Sequence, residues 1–181
     1  MIKPVDFDNA DKKVNYEMLE EGIYLVKILN VQEMTSRTGK PMLKVSVDIE
    51  SGKHENFFMK QYKLNNYAGK KWSNNAVKYV VTVNNDGSTS WIFKKFIKAC
   101  EEAEGSPVQW GENNELANSL KGKVIPAKFI YDMYVNDYGE EKRFCKIDNF
   151  ISWDEYAKYF KSLEPAEETE AEAENDEDIE Y

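Results

Sequence analysis

Residues 22–49 constrain the fold most, because they read as two long strands joined by a short basic turn. Residues 23–31 are rich in β-branched and apolar side chains, and residues 42–49 alternate strictly between an apolar and a polar face. The apolar face comprises Leu43, Val45, Val47 and Ile49, and the polar face Lys44, Ser46 and Asp48. Gly39 supplies the positive φ of the turn, and Pro41 fits only the first position of the second strand. This pattern predicts one wall of a sheet with a solvated side.

Three further strands are predicted at residues 54–62, 123–135 and 141–151, because apolar and polar positions alternate there as well. A helix is predicted over residues 91–104, and Ser152 with Glu155 forms a capping box that opens a short C-terminal helix. Residues 77–83 indicate a short extra strand, and residues 105–118 a loop. Five main strands with a helix between the third and fourth predict a mainly β protein, specifically a five-stranded OB-fold barrel.

Charge divides the chain into regions. Residues 164–181 contain ten acidic residues and no lysine or arginine, whereas residues 1–163 carry 24 basic and 23 acidic residues. The net charge of −9 therefore belongs to the C-terminal tail. The tail has too little apolar bulk to offset the entropy of ordering, so disorder is expected. The predicted organisation is an N-terminal lead-in (1–21), an OB-fold DNA-binding domain (22–163) and a disordered acidic tail (164–181).

A basic segment follows the first two strands. Residues 51–98 contain nine lysines and only two acidic residues, interleaved with nine aromatic residues. An ordinary solvated lysine face is the alternative interpretation. If Phe57 and Met59 fill the core, Lys44, Phe58 and Tyr62 share one wet face. Aromatic rings stack on bases while ammonium groups follow phosphates, so this face predicts a groove for single-stranded nucleic acid.

The predicted DNA-binding residues lie on this face, in the loop after it, and in the two turns that OB folds use for binding, residues 35–41 and 136–140. They are Arg37, Lys40, Lys44, Phe58, Lys60, Tyr62, Lys63, Tyr67, Lys70, Lys71, Trp72, Tyr134, Tyr138, Lys142, Arg143 and Phe144. For Tyr67 and Trp72, packing against the end of the barrel is the alternative.

Catalytic signatures are sparse in this sequence. His54 is the single histidine, and neither a phosphate-binding loop nor a dinucleotide-binding glycine motif occurs. Cys100 and Cys145 lie on apolar faces and are expected to be small buried residues in a reducing cytoplasm. We therefore expect no enzyme activity, no metal and no cofactor. A nuclease built on body carboxylates such as Asp48 is the alternative, with a solvated strand end as the simpler interpretation.

The N-terminus and the hydropathy pattern bear on location. The first residues run into a polar, acidic stretch unlike a signal peptide, and no apolar run approaches membrane-spanning length. We expect a soluble, intracellular protein without a membrane partner.

Several short motifs resemble a known family. They are Gly22-Ile23-Tyr24-Leu25-Val26-Lys27-Ile28, Ser36-Arg37-Thr38-Gly39-Lys40-Pro41-Met42-Leu43-Lys44 and Leu120-Lys121-Gly122-Lys123. Together they resemble phage-encoded single-stranded DNA-binding proteins of replication and recombination modules. The tail Asn175-Asp176-Glu177-Asp178-Ile179-Glu180-Tyr181 is similar to the acidic C-terminus of bacterial and phage single-strand binding proteins. The resemblance implies non-catalytic coating of single strands in the cytoplasm of an infected bacterium.

The resemblance also implies a role for the tail, which would recruit replication, recombination or repair proteins. Asp176, Asp178, Ile179 and Tyr181 are the residues expected to contact them. Two other functions remain open. One is a strand-annealing recombination mediator, which needs a homo-oligomer. The other is a protein-interaction or DNA-mimic module that binds no DNA.

Deletion of residues 164–181 should raise the affinity for oligo(dT), because a tethered polyanion competes with DNA for a basic groove at high effective concentration. Titration of full-length and truncated protein with the same oligonucleotide measures the effect. Equal or weaker binding by the truncated protein would contradict this role of the tail.

Overall fold

The long strand that begins at Gly22 organises the structure. The computed structural model describes residues 17–163, which form a five-stranded antiparallel sheet and four α-helices. In chain order the elements are β1 (Gly22–Thr35), β2 (Pro41–Ile49), α1 (Phe57–Leu64), a 3₁₀ turn (Asn74–Ala76), β3 (Val77–Val81), α2 (Trp91–Glu102), α3 (Glu115–Leu120), β4 (Val124–Val135), β5 (Glu141–Phe150) and α4 (Trp153–Leu163). The prediction of a mainly β protein with helices is confirmed.

The strands lie in the order β3-β2-β1-β4-β5, and each neighbouring pair is antiparallel. The first half of β1 pairs with β4, from Gly22 opposite Phe129 to Lys27 opposite Val124. Its second half, after an irregularity at Ile28, pairs with β2 alone. Within residues 17–163, no ladder joins β3 to β5, so the sheet is open and the predicted closed barrel is not present.

The inward faces of the strands form the core. Val45, Val47 and Ile49 are buried as the alternation predicts, and Cys100 and Cys145 are buried free thiols as expected. Burial raises the pKa of Cys100 to about 12 and that of Cys145 to about 11. Both thiols are therefore protonated at neutral pH.

The helices α2 and α4 lie where the sequence predicts them and are tied together. Ser152 Oγ accepts a hydrogen bond from Glu155 N at 3.2 Å, and Ser152 N donates to Glu155 Oε2 at 2.8 Å, which confirms the capping box. Trp153 Nε1 donates to the carbonyl oxygen of Ala99 in α2 at 3.0 Å. No helix within residues 17–163 is both long and apolar enough to cross a membrane.

The predicted strand at residues 54–62 is wrong, because this segment contains α1. Asp48, at the end of β2, accepts hydrogen bonds from Phe58 N at 2.9 Å and Met59 N at 3.0 Å, two donors that the first turn of a helix leaves free. Asn56 precedes the helix with a left-handed φ of 54°, which ends the extended backbone. The third strand of the sheet is Val77–Val81, within the predicted extra strand, and α3 lies largely in the predicted loop.

The Asp48 carboxylate is buried, with 3 % of the residue exposed. Burial raises its pKa, and the backbone donors of Phe58, Ile49 and Met59 oppose that shift. A carboxyl whose pKa is raised on folding contributes less stability as the pH rises through the folded-state pKa. The hydrogen bonds thus limit a cost that the buried charge would otherwise impose.

Asp48→Ala should lower the free energy of unfolding by about 1–3 kcal/mol, because it leaves the first turn of α1 without acceptors. Urea unfolding at neutral pH measures the change. Asp137→Ala, at an exposed position, should stay within about 0.5 kcal/mol of the parent protein. Equal effects of the two substitutions would show that Asp48 does not hold α1.

Candidate nucleic-acid interface

A row of three side chains crosses the outward face of β1, β2 and β3. In the strand register Gln32 lies opposite Lys44, and Lys44 lies opposite Tyr79. Directly opposed residues in a sheet have Cβ atoms about 4.5–5.5 Å apart, so an amide, a cation and a ring are neighbours there. Tyr79 is 49 % exposed. We call Gln32, Lys44 and Tyr79 the outer row.

Two members of the outer row are absent from the residues predicted from sequence. Tyr79 lies on a strand that the sequence indicated only as an addition, and Gln32 carries no charge or ring to mark it. Alternation within residues 77–81 could have placed Tyr79 and Lys78 on different faces of the strand. Only the pairing between strands aligns Tyr79 with Lys44.

At one end of this face, α1 and the loop after it bring an aromatic cluster together. The rings of Tyr62 and Trp72 lie 5.9 Å apart between centroids. Lys70 Nζ lies 4.4 Å from the centre of the Tyr62 ring and donates to the carbonyl oxygen of Tyr62 at 3.0 Å. Lys71 lines the same cleft as Tyr62. Tyr67 is 74 % exposed.

Helix α1 and the loop after it also carry three further predicted residues, Lys60, Lys63 and Trp72. Lys60 and Lys63 are exposed on α1, and the charge of Lys60 acts on the Asp48 carboxyl. Trp72 packs partly against the core, as its alternative interpretation proposed, while its ring still contacts Tyr62. Lys44, Ser46 and Asp48 form a polar column along one side of β2. Because the first backbone donors of α1 bind Asp48, α1 begins where this polar column ends.

The two sheet edges, β3 and β5, face each other across a seam. Lys78 Nζ in β3 donates to the carbonyl oxygen of Asp148 in β5, and the 3₁₀ turn before β3 also contacts β5. Burial lowers the pKa of Lys78; the charge of Asp148 opposes this shift, and the charge of Lys146 adds to it. The edges of β3 and β5 therefore lie close together, although no ladder joins them.

Beyond the seam, β4 and β5 form an arm that carries more rings and cations. Tyr134 and Phe144 lie 5.7 Å apart between ring centroids, and Lys146 Nζ lies 5.7 Å from the centre of the Phe144 ring. Lys142 pairs with Glu140 at 2.9 Å, and Tyr138 at the turn is 90 % exposed.

Arg143 does not share this face of the arm. It lies opposite Met133, and its guanidinium carbon lies 4.4 Å from the centre of the Tyr131 ring. Successive residues of a strand face opposite sides, so Arg143 points away from the side that carries Lys142 and Phe144.

The two predicted binding turns lie at opposite ends of the β1–β4 ladder. Arg37 and Lys40 follow the end of β1, where Lys40 Nζ donates to Asn85 Oδ1. Tyr138 follows the end of β4, beyond the pairing of Phe129 with Gly22. A ligand that reaches both turns must run along the length of the sheet.

One expectation about the basic surface is corrected. Phe58 is not an exposed stacking ring: the residue is 2 % exposed, and its ring stacks on Phe129 in the core with 6.0 Å between centroids. Adjacent residues Phe57 and Phe58 are both buried, which a helix end permits and a half-exposed strand does not. In α2, Lys95 pairs with Glu155 and Lys98 with Glu102, so these lysines do not contribute free cations to the outer row.

Other predicted features lie elsewhere or outside the structure. The tail residues Asp176, Asp178, Ile179 and Tyr181 fall outside the described residues. His54 is buried and packs edge-on against Tyr24 and Phe57. Within residues 17–163, no group of three or more His, Cys, Asp or Glu side chains converges on a common point. The described surface offers cations, rings and amides for binding.

Comparison with known proteins gives one match. A family model described as "Protein of unknown function (DUF669)" matches residues 5–158 of the chain. A search of curated proteins finds no match.

Proposed function

We propose that this chain, which belongs to the DUF669 family of proteins of unknown function, binds single-stranded DNA without catalysing a reaction. The observation that carries the proposal is the outer row, in which Lys44 lies between the amide of Gln32 and the exposed ring of Tyr79. In such a row Lys44 can bind a phosphate and the ring of Tyr79 can stack on a base. Single-strand binders repeat these two contacts along the nucleic acid.

The strand order supports an OB-type fold. The order β3-β2-β1-β4-β5 is that of a five-stranded OB barrel opened between its third and fifth strands, and OB folds include partly open barrels. In that family of folds the second and third strands bind oligonucleotides, and Lys44 and Tyr79 of the outer row lie on the second and third strands here. The contact of Lys78 with Asp148 brings the two edges of the open sheet together.

The path of a bound strand follows from the arrangement of cations and rings. It runs from the turn with Arg37 along the outer row to the aromatic cluster of Tyr62 and Trp72, and across the seam to Phe144 and the arm. These groups belong to four different chain segments.

We extend the proposal to biological role. The protein coats single strands during phage DNA replication and recombination, and the acidic tail recruits partner proteins and competes with DNA. The sequence resemblance and the ten acidic residues of the tail support this role.

Tyr79→Ala should weaken oligo(dT) binding about 5-fold to 150-fold, because loss of one base–ring stack costs about 1–3 kcal/mol. Lys44→Ala should also weaken binding and should reduce the slope of log affinity against log salt by about 1. Fluorescence anisotropy at several salt concentrations measures both effects.

Lys98→Ala is the matched control, because Lys98 is exposed but pairs with Glu102 on α2. It should leave affinity and salt dependence unchanged. No binding by the parent protein at low salt would contradict the proposed function. Binding that Tyr79→Ala and Lys44→Ala leave intact would place the DNA on another surface.

A further inference from the structure

We infer that a polar pocket beside the outer row receives a nucleobase turned out of the bound strand. This inference rests on the proposed function and adds a second mode of contact to it, namely hydrogen bonding to base edges. The pocket has a volume of about 560 Å³, within the usual range of ligand sites. Its polar side chains are those of Asn30, Gln32, Glu33, Asn114, Asn118 and Lys121.

The topology creates the pocket. β4 pairs with β1 only as far as Lys27, so the second half of β1 lacks a strand on that side. The short helix α3 packs beside this part of β1 instead. Leu116, Ala117 and Leu120 fix α3 by burial of its inner face. Ser119 Oγ anchors it further by accepting a hydrogen bond from Gln109 N at 3.0 Å.

Asn118 of α3 lines this cleft together with the two residues that flank the helix, Asn114 before it and Lys121 after it. Across the cleft lie Asn30 and Gln32 of β1. Within residues 17–163, no hydrogen bond to another residue engages the side chains of these amides or of Lys121. The donors and acceptors are therefore available to a ligand.

The chemistry of the lining selects a base over a phosphate. Four amides present paired donors and acceptors, as the edges of nucleobases do, and Asn and Gln are common readers of such edges. The lining residues include one cation, Lys121, and one carboxylate, Glu33, so the pocket offers no excess positive charge to an anion.

The pocket is continuous with the outer row. Gln32 belongs to both: it lines the pocket and lies opposite Lys44 in the sheet register. A strand whose phosphate meets Lys44 and whose base stacks on Tyr79 places the next nucleotide within reach of Gln32. The stacked base and the turned-out base are then neighbours along one strand.

The experiment compares DNA that has bases with a backbone that lacks them. The variant is Asn114→Gly with Asn118→Ala; glycine is chosen because Asn114 has a φ of 64°, which glycine adopts without strain. It should weaken oligo(dT) binding about 10-fold, the effect of one well-placed pair of base hydrogen bonds. It should leave binding to an abasic deoxyribose-phosphate oligomer unchanged, measured at low salt. Lys44→Ala should weaken binding to both.

Asn113→Gly is the matched control, since Asn113 is also left-handed, with a φ of 58°, and lies outside the pocket. It should behave as the parent protein, and equal unfolding midpoints show that the fold is intact. Equal loss on oligo(dT) and on the abasic oligomer, or no loss on either, overturns the inference and leaves the proposed function standing. Failure of the parent protein to bind oligo(dT) overturns both.

Discussion

The buried carboxylate of Asp48 determines how the rest of the chain is placed around the sheet. A carboxylate in the interior costs several kcal/mol unless hydrogen bonds compensate, and here the backbone donors of Ile49, Phe58 and Met59 supply them. Because two of those donors belong to the first turn of α1, the same group that ends β2 starts the helix. The aromatic cluster of Tyr62 and Trp72 consequently lies at the end of the polar column that contains Lys44. The fold and the candidate surface therefore both depend on the hydrogen bonds that Asp48 accepts.

The open seam between β3 and β5 is the second constraint. Exposed sheet edges tend to pair with other chains, and lysines on an edge oppose such pairing. Lys78 lies at this seam, where burial lowers its pKa, the charge of Asp148 opposes that shift and the charge of Lys146 adds to it. Lys146 pairs with the Asp132 carboxylate, and Lys78 donates to the carbonyl oxygen of Asp148. The lysine that protects the edge of β3 therefore also ties that edge to β5.

The sequence predicts the four longer strands because their alternation is strong and their partners are adjacent hairpin strands. The prediction fails at α1. The contact that starts this helix comes from Asp48, which lies outside the segment, so the local alternation alone indicates a strand. The same error made Phe58 a surface residue. Tyr62, Lys70 and Trp72 come together in the structure, whereas the positions of Gln32 and Tyr79 beside Lys44 depend on the register between strands. Arg143 was predicted from its position beside the 136–140 turn, and the pairing of β4 with β5 places it on the side of the arm away from Lys142 and Phe144.

The charge balance favours unpaired strands over duplex as the ligand. Residues 1–163 carry nearly equal numbers of acidic and basic side chains, and the whole chain has a net charge of −9. Counterion release from a few local contacts therefore supplies less free energy than in strongly basic DNA-binding proteins. In the proposed complex, base stacking on Tyr79 and hydrogen bonding to base edges supply more of it. A duplex presents its phosphates but keeps its base faces stacked and its pairing edges occupied, so it gains only the weaker electrostatic contribution. A single strand gains the electrostatic contacts, the base stacking and the hydrogen bonds to base edges. Selectivity for single strands over duplex then follows from the rings and amides of the surface, without any strong positive field.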